Sequence, residues 1–238
     1  HRDRVSGSVV KKVSGLNAHS VIGVKGVVKA IEKAPHGGEI VPLEVRILGV
    51  SKGTPPFRLF SRRLPGLDKR LDIRAVDLRR PKCQAIFKIR HTALAAIREL
   101  LTMEGYMEVN TPKIISSATE GGAALFPILY YDKEGFLAQS PQLYKEQLTM
   151  AFEKLFELGP VFRAEPSRTL RHLAEILSVD VEEGYVDYQD VMKLLGRLVK
   201  HVVTRVQEER SDELKLLNVS LNAPQLPVIQ YTYDKILD

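Results

Sequence analysis

Val161-Phe-Arg-Ala-Glu165, then Arg171-His-Leu-Ala-Glu175, then Ile176-Leu-Ser-Val-Asp-Val-Glu-Glu-Gly-Tyr185 is the stretch whose reading decides the fold. Val161–Ala164 and Ile176–Tyr185 read as two strands, and the Pro166–Leu170 stretch between them reads as a hairpin loop. An arginine two residues before a glutamate on a strand puts both side chains on one face. The return strand brings Arg171 and His172 near Arg163 and Glu165. A guanidinium and an imidazole beside a carboxylate suit a polyanionic ligand, and they equally suit a salt-bridged hairpin.

Working outward, residues 84–104 place Ile86, Ile89, Leu94, Ile97, Leu100 and Leu101 at helical spacing, and Gly105 ends that helix. Met107-Glu-Val-Asn-Thr-Pro112 follows as a strand that stops at proline. Phe136–Ser140 reads as a further strand, and Tyr144–Leu158 as a helix. Asp190–Glu209 carries Val191, Leu194, Leu195, Leu198 and Val202 at helical spacing. Helices alternating with antiparallel strands make this region α+β. Residues 1–50 differ. Gly7-Ser-Val-Val10, Val21–Val28 and Leu43–Val50 read as three short strands of a small sheet or barrel, too few to close one. Residues 56–80 read as a basic linker broken by Pro65-Gly66.

The 238 residues are 44% hydrophobic and 27% charged, which is ordinary globular material. The formal net charge of +6 hides an asymmetry: residues 1–80 hold 17 basic against 7 acidic side chains, and the remainder is mildly acidic. A basic module ahead of an acidic one points to a polyanionic partner for the first and separate chemistry for the second. The single cysteine, Cys83, excludes a disulfide framework and any multi-cysteine zinc site and fits a reducing cytoplasm. With no apolar run of 18 residues, no membrane span is expected. The opening His1-Arg-Asp-Arg4 carries neither an initiator Met nor a signal peptide, so the chain is expected to begin inside a longer protein.

Two more polar clusters stand out. Ser117-Ala-Thr-Glu-Gly-Gly122 is a turn holding one carboxylate, Glu120. Gln139-Ser-Pro-Gln-Leu-Tyr-Lys145 offers two amides and an ammonium where a strand gives way to a helix. It suits a small polar anion, or simply a capped surface helix.

In this order, Met107–Pro112, Glu120-Gly-Gly122, Gln139–Lys145 and Phe162-Arg-Ala-Glu…Asp180-Val-Glu182 resemble a class II aminoacyl-tRNA synthetase of the archaeal/eukaryotic aspartyl type. The resemblance implies a partial OB-fold β-barrel that reads the anticodon at residues 1–55 and a basic hinge at 56–80. It implies an incomplete class II antiparallel-sheet catalytic domain at 81–238. Met107–Pro112 resembles the motif that makes a homodimer, and Phe162–Glu182 the motif that holds ATP. By the same resemblance, Arg163 and Lys145 are the catalytic pair. Aspartate is held by Glu120, Gln142, Leu143, Tyr144, Lys145, Arg163 and Asp180. ATP is held by Arg163, Ala164, Glu165, Arg171, His172, Leu173 and Ala174, and Glu182 joins Asp180 on the floor. Lys25, Lys29, Lys33 and Pro35 would meet the tRNA, and Pro35 resembles enzymes that charge both the aspartate and the asparagine tRNAs.

Lys145 separates this type from its asparaginyl sisters. A carboxylate must be paired to be desolvated, whereas an amide pocket needs no lysine. The implied partners are L-aspartate, ATP, tRNA and a second copy of the chain, with no membrane.

The sequence also departs from the pattern. A third motif with an ATP-binding arginine is absent, as are the later acidic residues that would bind Mg2+, so no metal ligand is assigned here. Ile176 stands where the family often has an aromatic that stacks on adenine, and Pro166 replaces a commonly acidic position. The alternatives are a synthetase-like fragment that binds tRNA or a partner without catalysis, an asparaginyl-tRNA synthetase, and an asparagine-forming paralogue.

Overall fold

The computed structural model describes all residues except 1–4, 35, 36, 54, 60, 62, 119–124, 168, 170, 171 and 238. They form two compact units, His1–Gln84 and Ala85–Asp238.

The first unit opens with a helix, α1 (Gly7–Ser14), where a strand is expected. Val9 is buried while Val13, one turn on, is exposed, so the helix covers a single apolar side chain. Strands β1 (Val21–Ala30) and β2 (Gly38–Gly49) pair antiparallel, with an irregularity between Lys25 and Gly26. A Cβ on Gly26 would lie 2.3 Å from the Val41 carbonyl oxygen, so only glycine allows that approach. The sheet has two strands, one fewer than the sequence suggests, and no closed barrel forms among the described residues. Val28 and Leu43 remain exposed on the hairpin.

The segment read as a linker folds into α2 (Leu67–Asp72) and α3 (Arg74–Asp77), wrapped around the buried Asp77. Burial alone would raise this carboxyl's pKa. Hydrogen bonds from Arg80 and Cys83, with the charges of Arg70 and Arg80, instead hold it below the usual carboxylate range. Burial and the neighbouring Asp77 push the Cys83 thiol up.

Most of α4 (Pro81–Met103) belongs to the second unit. It is followed by β3 (Met107–Glu108), β4 (Ile114–Ile115), β5 (Pro127–Tyr130), β6 (Lys133–Leu137) and α5 (Gln142–Phe152). Then come β7 (Lys154–Phe162), β8 (Glu175–Glu183), α6 (Tyr188–Glu209), α7 (Ser211–Leu217) and α8 (Tyr233–Leu237). One sheet has the order β3-β7-β8, with β3 parallel to β7 and β8 antiparallel to it. A second, antiparallel sheet has the order β4-β6-β5.

The helix expected over Tyr144–Leu158 stops at Phe152, and Lys154–Leu158 is strand. Leu155, Phe156, Glu157 and Leu158 are all buried, and a strand covered on both faces shows no alternation in sequence. On one face of that sheet, Phe156 and Leu158 pack with Leu101, Tyr106, Leu194 and Leu198, and Val181 of β8 packs against them. The long helix α6 is fixed at its start by Asp187, whose carboxylate accepts from the backbone N–H groups of Gln189 and Asp190. Among the described residues no helix is long and apolar enough to cross a membrane.

Candidate active site

Alternation along β8 sorts its side chains. Leu177, Val179 and Val181 share one face, and Val181 packs into the core, whereas Ile176, Ser178, Asp180 and Glu182 share the other. Across the ladder Asp180 stands opposite Glu157, Ser178 opposite Gly159 and Ile176 opposite Val161. This polar face is the floor of the candidate site.

Lys145 comes to it from α5. It is 3% exposed, and its Nζ lies 3.3 Å from Asp180 Oδ1 and 3.2 Å from Glu182 Oε2. The start of α5 is set by Ser140, whose Oγ accepts from the Gln142 N–H at 3.1 Å, and by the Pro141 carbonyl, which accepts from Tyr144 and Lys145. An ammonium has three donors, and two meet these carboxylates. Asp180 Oδ2 is buried and accepts no hydrogen bond among the described residues.

A second buried ion pair sits on the same floor, and the sequence reading missed it. Glu157 is fully buried and accepts from the Thr111 N–H at 3.0 Å and the Thr111 hydroxyl at 2.8 Å, while Lys113 Nζ lies 2.8 Å away. Its signal was a carboxylate inside the apolar run Leu155-Phe-Glu-Leu158. Gly159 makes room for it, since a Cβ there would lie 2.9 Å from Glu157 Oε1. Two ammoniums, Lys113 and Lys145, therefore face three carboxylates, Glu157, Asp180 and Glu182.

The arginine end is placed by β7. The Phe162 N–H donates to the Ala138 carbonyl at 2.9 Å, tying the end of β7 to the chain just before α5. β7 stops at Phe162, so Arg163, Ala164 and Glu165 lie beyond the strand that the sequence suggests, in the connection to β8. The Arg163 N–H still donates to the Ala174 carbonyl at 3.0 Å, which closes the base of that connection. His172 precedes β8 instead of lying on it, and its Nδ1 is 2.6 Å from the Thr169 hydroxyl. Arg163, Glu165, His172, Leu173 and Ala174 are exposed there.

Of the other expected residues, Gln142 donates to Glu146 at 2.8 Å, Leu143 is exposed and Tyr144 is half-buried. Glu120, Arg171 and Pro35 lie outside the described residues. Lys25, Lys29 and Lys33 are exposed, but Lys25 stands opposite Glu44 and Lys29 opposite Glu39 across the hairpin. Among the described residues no three histidine, cysteine, aspartate or glutamate side chains group to hold a metal.

Residues 66–237 match the family described as tRNA synthetases class II (D, K and N). The chain is 48% identical to the aspartate–tRNA(Asp/Asn) ligase of Archaeoglobus fulgidus over 98% of its own length and 55% of that relative. It is 43% identical to the aspartate–tRNA(Asp) ligase of Pyrococcus horikoshii over 100% of its length and 55% of that relative. Its fold is similar to the crystal structure of asparaginyl-tRNA synthetase from Pyrococcus horikoshii complexed with asparaginyl-adenylate. The TM-score is 0.84 at 36% identity, over 90% of this chain and 49% of that one. The chain thus spans about half the length of the relatives it matches.

Proposed function

Because the chain belongs to the class II tRNA synthetases of the D, K and N group, we propose that it carries the aspartate-activating site of an aspartate–tRNA ligase. In this reading the α-carboxylate of L-aspartate attacks the α-phosphorus of ATP. A carboxyl–phosphorus C–O–P link forms, the bond to the β-phosphate oxygen breaks, and pyrophosphate leaves. The terminal hydroxyl of a tRNA then takes the aminoacyl group and releases AMP. No protein nucleophile is needed, since placing the reactants and neutralising charge carry the rate.

The observation that carries this reading is the buried Lys145 with its two carboxylates. Its third donor meets the side-chain carboxylate of aspartate, and the unused Oδ2 of Asp180 accepts from the substrate ammonium, with Glu120. Gln142, Leu143 and Tyr144 border the same end. Arg163 bridges the substrate carboxylate and the α-phosphate, a task that suits a planar guanidinium. Glu165, Arg171 and His172 take the adenine and the outer phosphates along the connection between β7 and β8, with the backbone of Ala164, Leu173 and Ala174 beside them. ATP enters as a substrate, with Mg2+ as its counter-ion in solution. None of these steps uses a metal held by the described residues.

The hairpin β1–β2, as part of an OB-fold, presents Lys25, Lys29, Lys33 and Pro35 to the anticodon of an aspartate tRNA or of both aspartate and asparagine tRNAs. Two copies meet through Met107–Pro112, and the enzyme works in the cytoplasm. The test is ATP–pyrophosphate exchange. L-Aspartate is expected to support exchange, L-asparagine is not, and Lys145→Ala is expected to abolish it. Faster exchange with asparagine would overturn the aspartate assignment. No exchange alongside intact tRNA binding would favour a chain that binds without catalysing.

A further inference from the structure

Glu157 is fully buried in β7 between Phe156 and Leu158, where an apolar side chain would serve stability as well. A buried ion pair is often no more stabilising than packed apolar groups of similar volume. Yet two further positions are given over to this carboxylate. Thr111 supplies it with two hydrogen bonds, and Gly159 leaves the space that a Cβ would close at 2.9 Å from Oε1. Stability alone does not account for a charge held so carefully.

The charge acts on a neighbour. Asp180 stands directly opposite Glu157 in the antiparallel ladder, so their Cβ atoms are about 4.5–5.5 Å apart on one face, and like charges so placed repel. Lys145 divides its ammonium between Asp180 Oδ1 and Glu182, while Asp180 Oδ2 is buried with no donor among the described residues. Lys113 balances Glu157 only in part. Its side chain is 20% exposed against 1% for Glu157, so water screens the positive end of that pair more than the negative end. The Lys113 backbone is also tied down, since its carbonyl accepts from the Ala138 N–H at 3.0 Å. Three carboxylates therefore outweigh two ammoniums on this floor, and the imbalance falls on Asp180 Oδ2.

We propose that Glu157 is a positioning residue for the substrate's α-ammonium. It touches no reactant and acts through Asp180, keeping the floor one positive charge short of balance. The site then favours a dicarboxylate that carries an amino group over one that lacks it. This rests on the reading of the site as one for L-aspartate.

Isothermal titration of the full chain with L-aspartate and with succinate, the same dicarboxylate without the amino group, tests the role. The wild-type chain is expected to prefer aspartate. A unit charge about 12 Å away shifts an equilibrium roughly tenfold at an effective dielectric of about 20. Glu157→Gln is therefore expected to cut the ratio of aspartate to succinate affinity roughly tenfold, through weaker aspartate binding. Glu157→Asp keeps the charge and is expected to keep the preference. Damage to the fold alone would weaken both ligands alike and leave the ratio where it was.

If Glu157→Gln does not fold by circular dichroism, the double variant Lys113→Gln/Glu157→Gln decides, because it orphans no charge. It is also expected to lower the ratio, since the positive end it removes is the screened one. An unchanged ratio in the folded variant, or a wild-type chain that binds succinate as tightly as aspartate, would overturn the role of Glu157 and leave the aspartate site standing. No aspartate binding by the wild-type chain would overturn both.

Discussion

Replacing Lys145 by methionine is the sharpest perturbation available, because it keeps the stem and removes only the ammonium. The side chain is 4% exposed, and its partners Asp180 and Glu182 are 19% and 26% exposed. Removing one partner of a fully buried ion pair costs about 3–5 kcal/mol, because the other is left uncompensated. Here both carboxylates keep some contact with water, which reduces the loss to roughly 2 kcal/mol. In a unit of this size each kcal/mol moves Tm by about 2–4 °C, so Lys145→Met should melt roughly 4–8 °C lower. Adding Asp180→Asn to Lys145→Met should recover part of that loss, since one orphaned charge disappears.

The same substitution should weaken L-aspartate about tenfold to a hundredfold, the size of one hydrogen bond between charged groups. L-Asparagine binding should barely change. Differential scanning calorimetry and isothermal titration give the two readouts. An unchanged Tm together with unchanged aspartate affinity would refute a buried, substrate-facing Lys145.

Three further outcomes follow from other residues. The Asp77 carboxyl is held below its unfolded value, so its contribution is complete above about pH 4 and is lost as pH falls through the lowered folded pKa. Asp77→Asn should therefore flatten the acid limb of a pH-dependent denaturation curve, and an acid limb unchanged by the substitution would contradict that. Cys83, 8% exposed and with its thiol pushed up, should alkylate with iodoacetamide far more slowly than a free exposed thiol and speed up on unfolding. Rapid labelling of the folded chain would count against its burial. Ile176, exposed on the site face of β8, should accept phenylalanine. Because a base–aromatic stack contributes about 1–3 kcal/mol, Ile176→Phe should tighten ATP at least fivefold in equilibrium dialysis, and no gain would remove adenine from that position.

Much of the second unit is legible because its periodicities are clean. Helix α6 announces itself through Val191, Leu194, Leu198 and Val202. The alternation of Leu177, Val179 and Val181 with Ser178, Asp180 and Glu182 gives β8 its core face and its site face. Lys154–Leu158 is strand where the sequence suggests helix, because a strand buried on both sides lacks that alternation.

Lys145 was legible as a cation at a junction, but its pairing with Asp180 and Glu182 joins residues some 35 positions apart, which spacing cannot show. The Thr111–Lys113–Glu157 cluster was hidden for the same reason. In the first unit Gly7-Ser-Val-Val10 has strand-like composition, yet it folds as a helix that buries Val9. The arginines of residues 70–80 were visible as charge, whereas their convergence on Asp77 required α2 and α3 to fold around it.

The central claim is that Lys145 makes this a site for a carboxylate side chain and not for its amide. Calorimetric titration of the chain with two non-hydrolysable adenylate mimics, aspartyl- and asparaginyl-sulfamoyl adenosine, tests it directly. The aspartyl compound should bind at least tenfold tighter, a difference of about 1.4 kcal/mol, and Lys145→Met should erase that preference. Equal or tighter binding of the asparaginyl compound by the wild-type chain would contradict the claim.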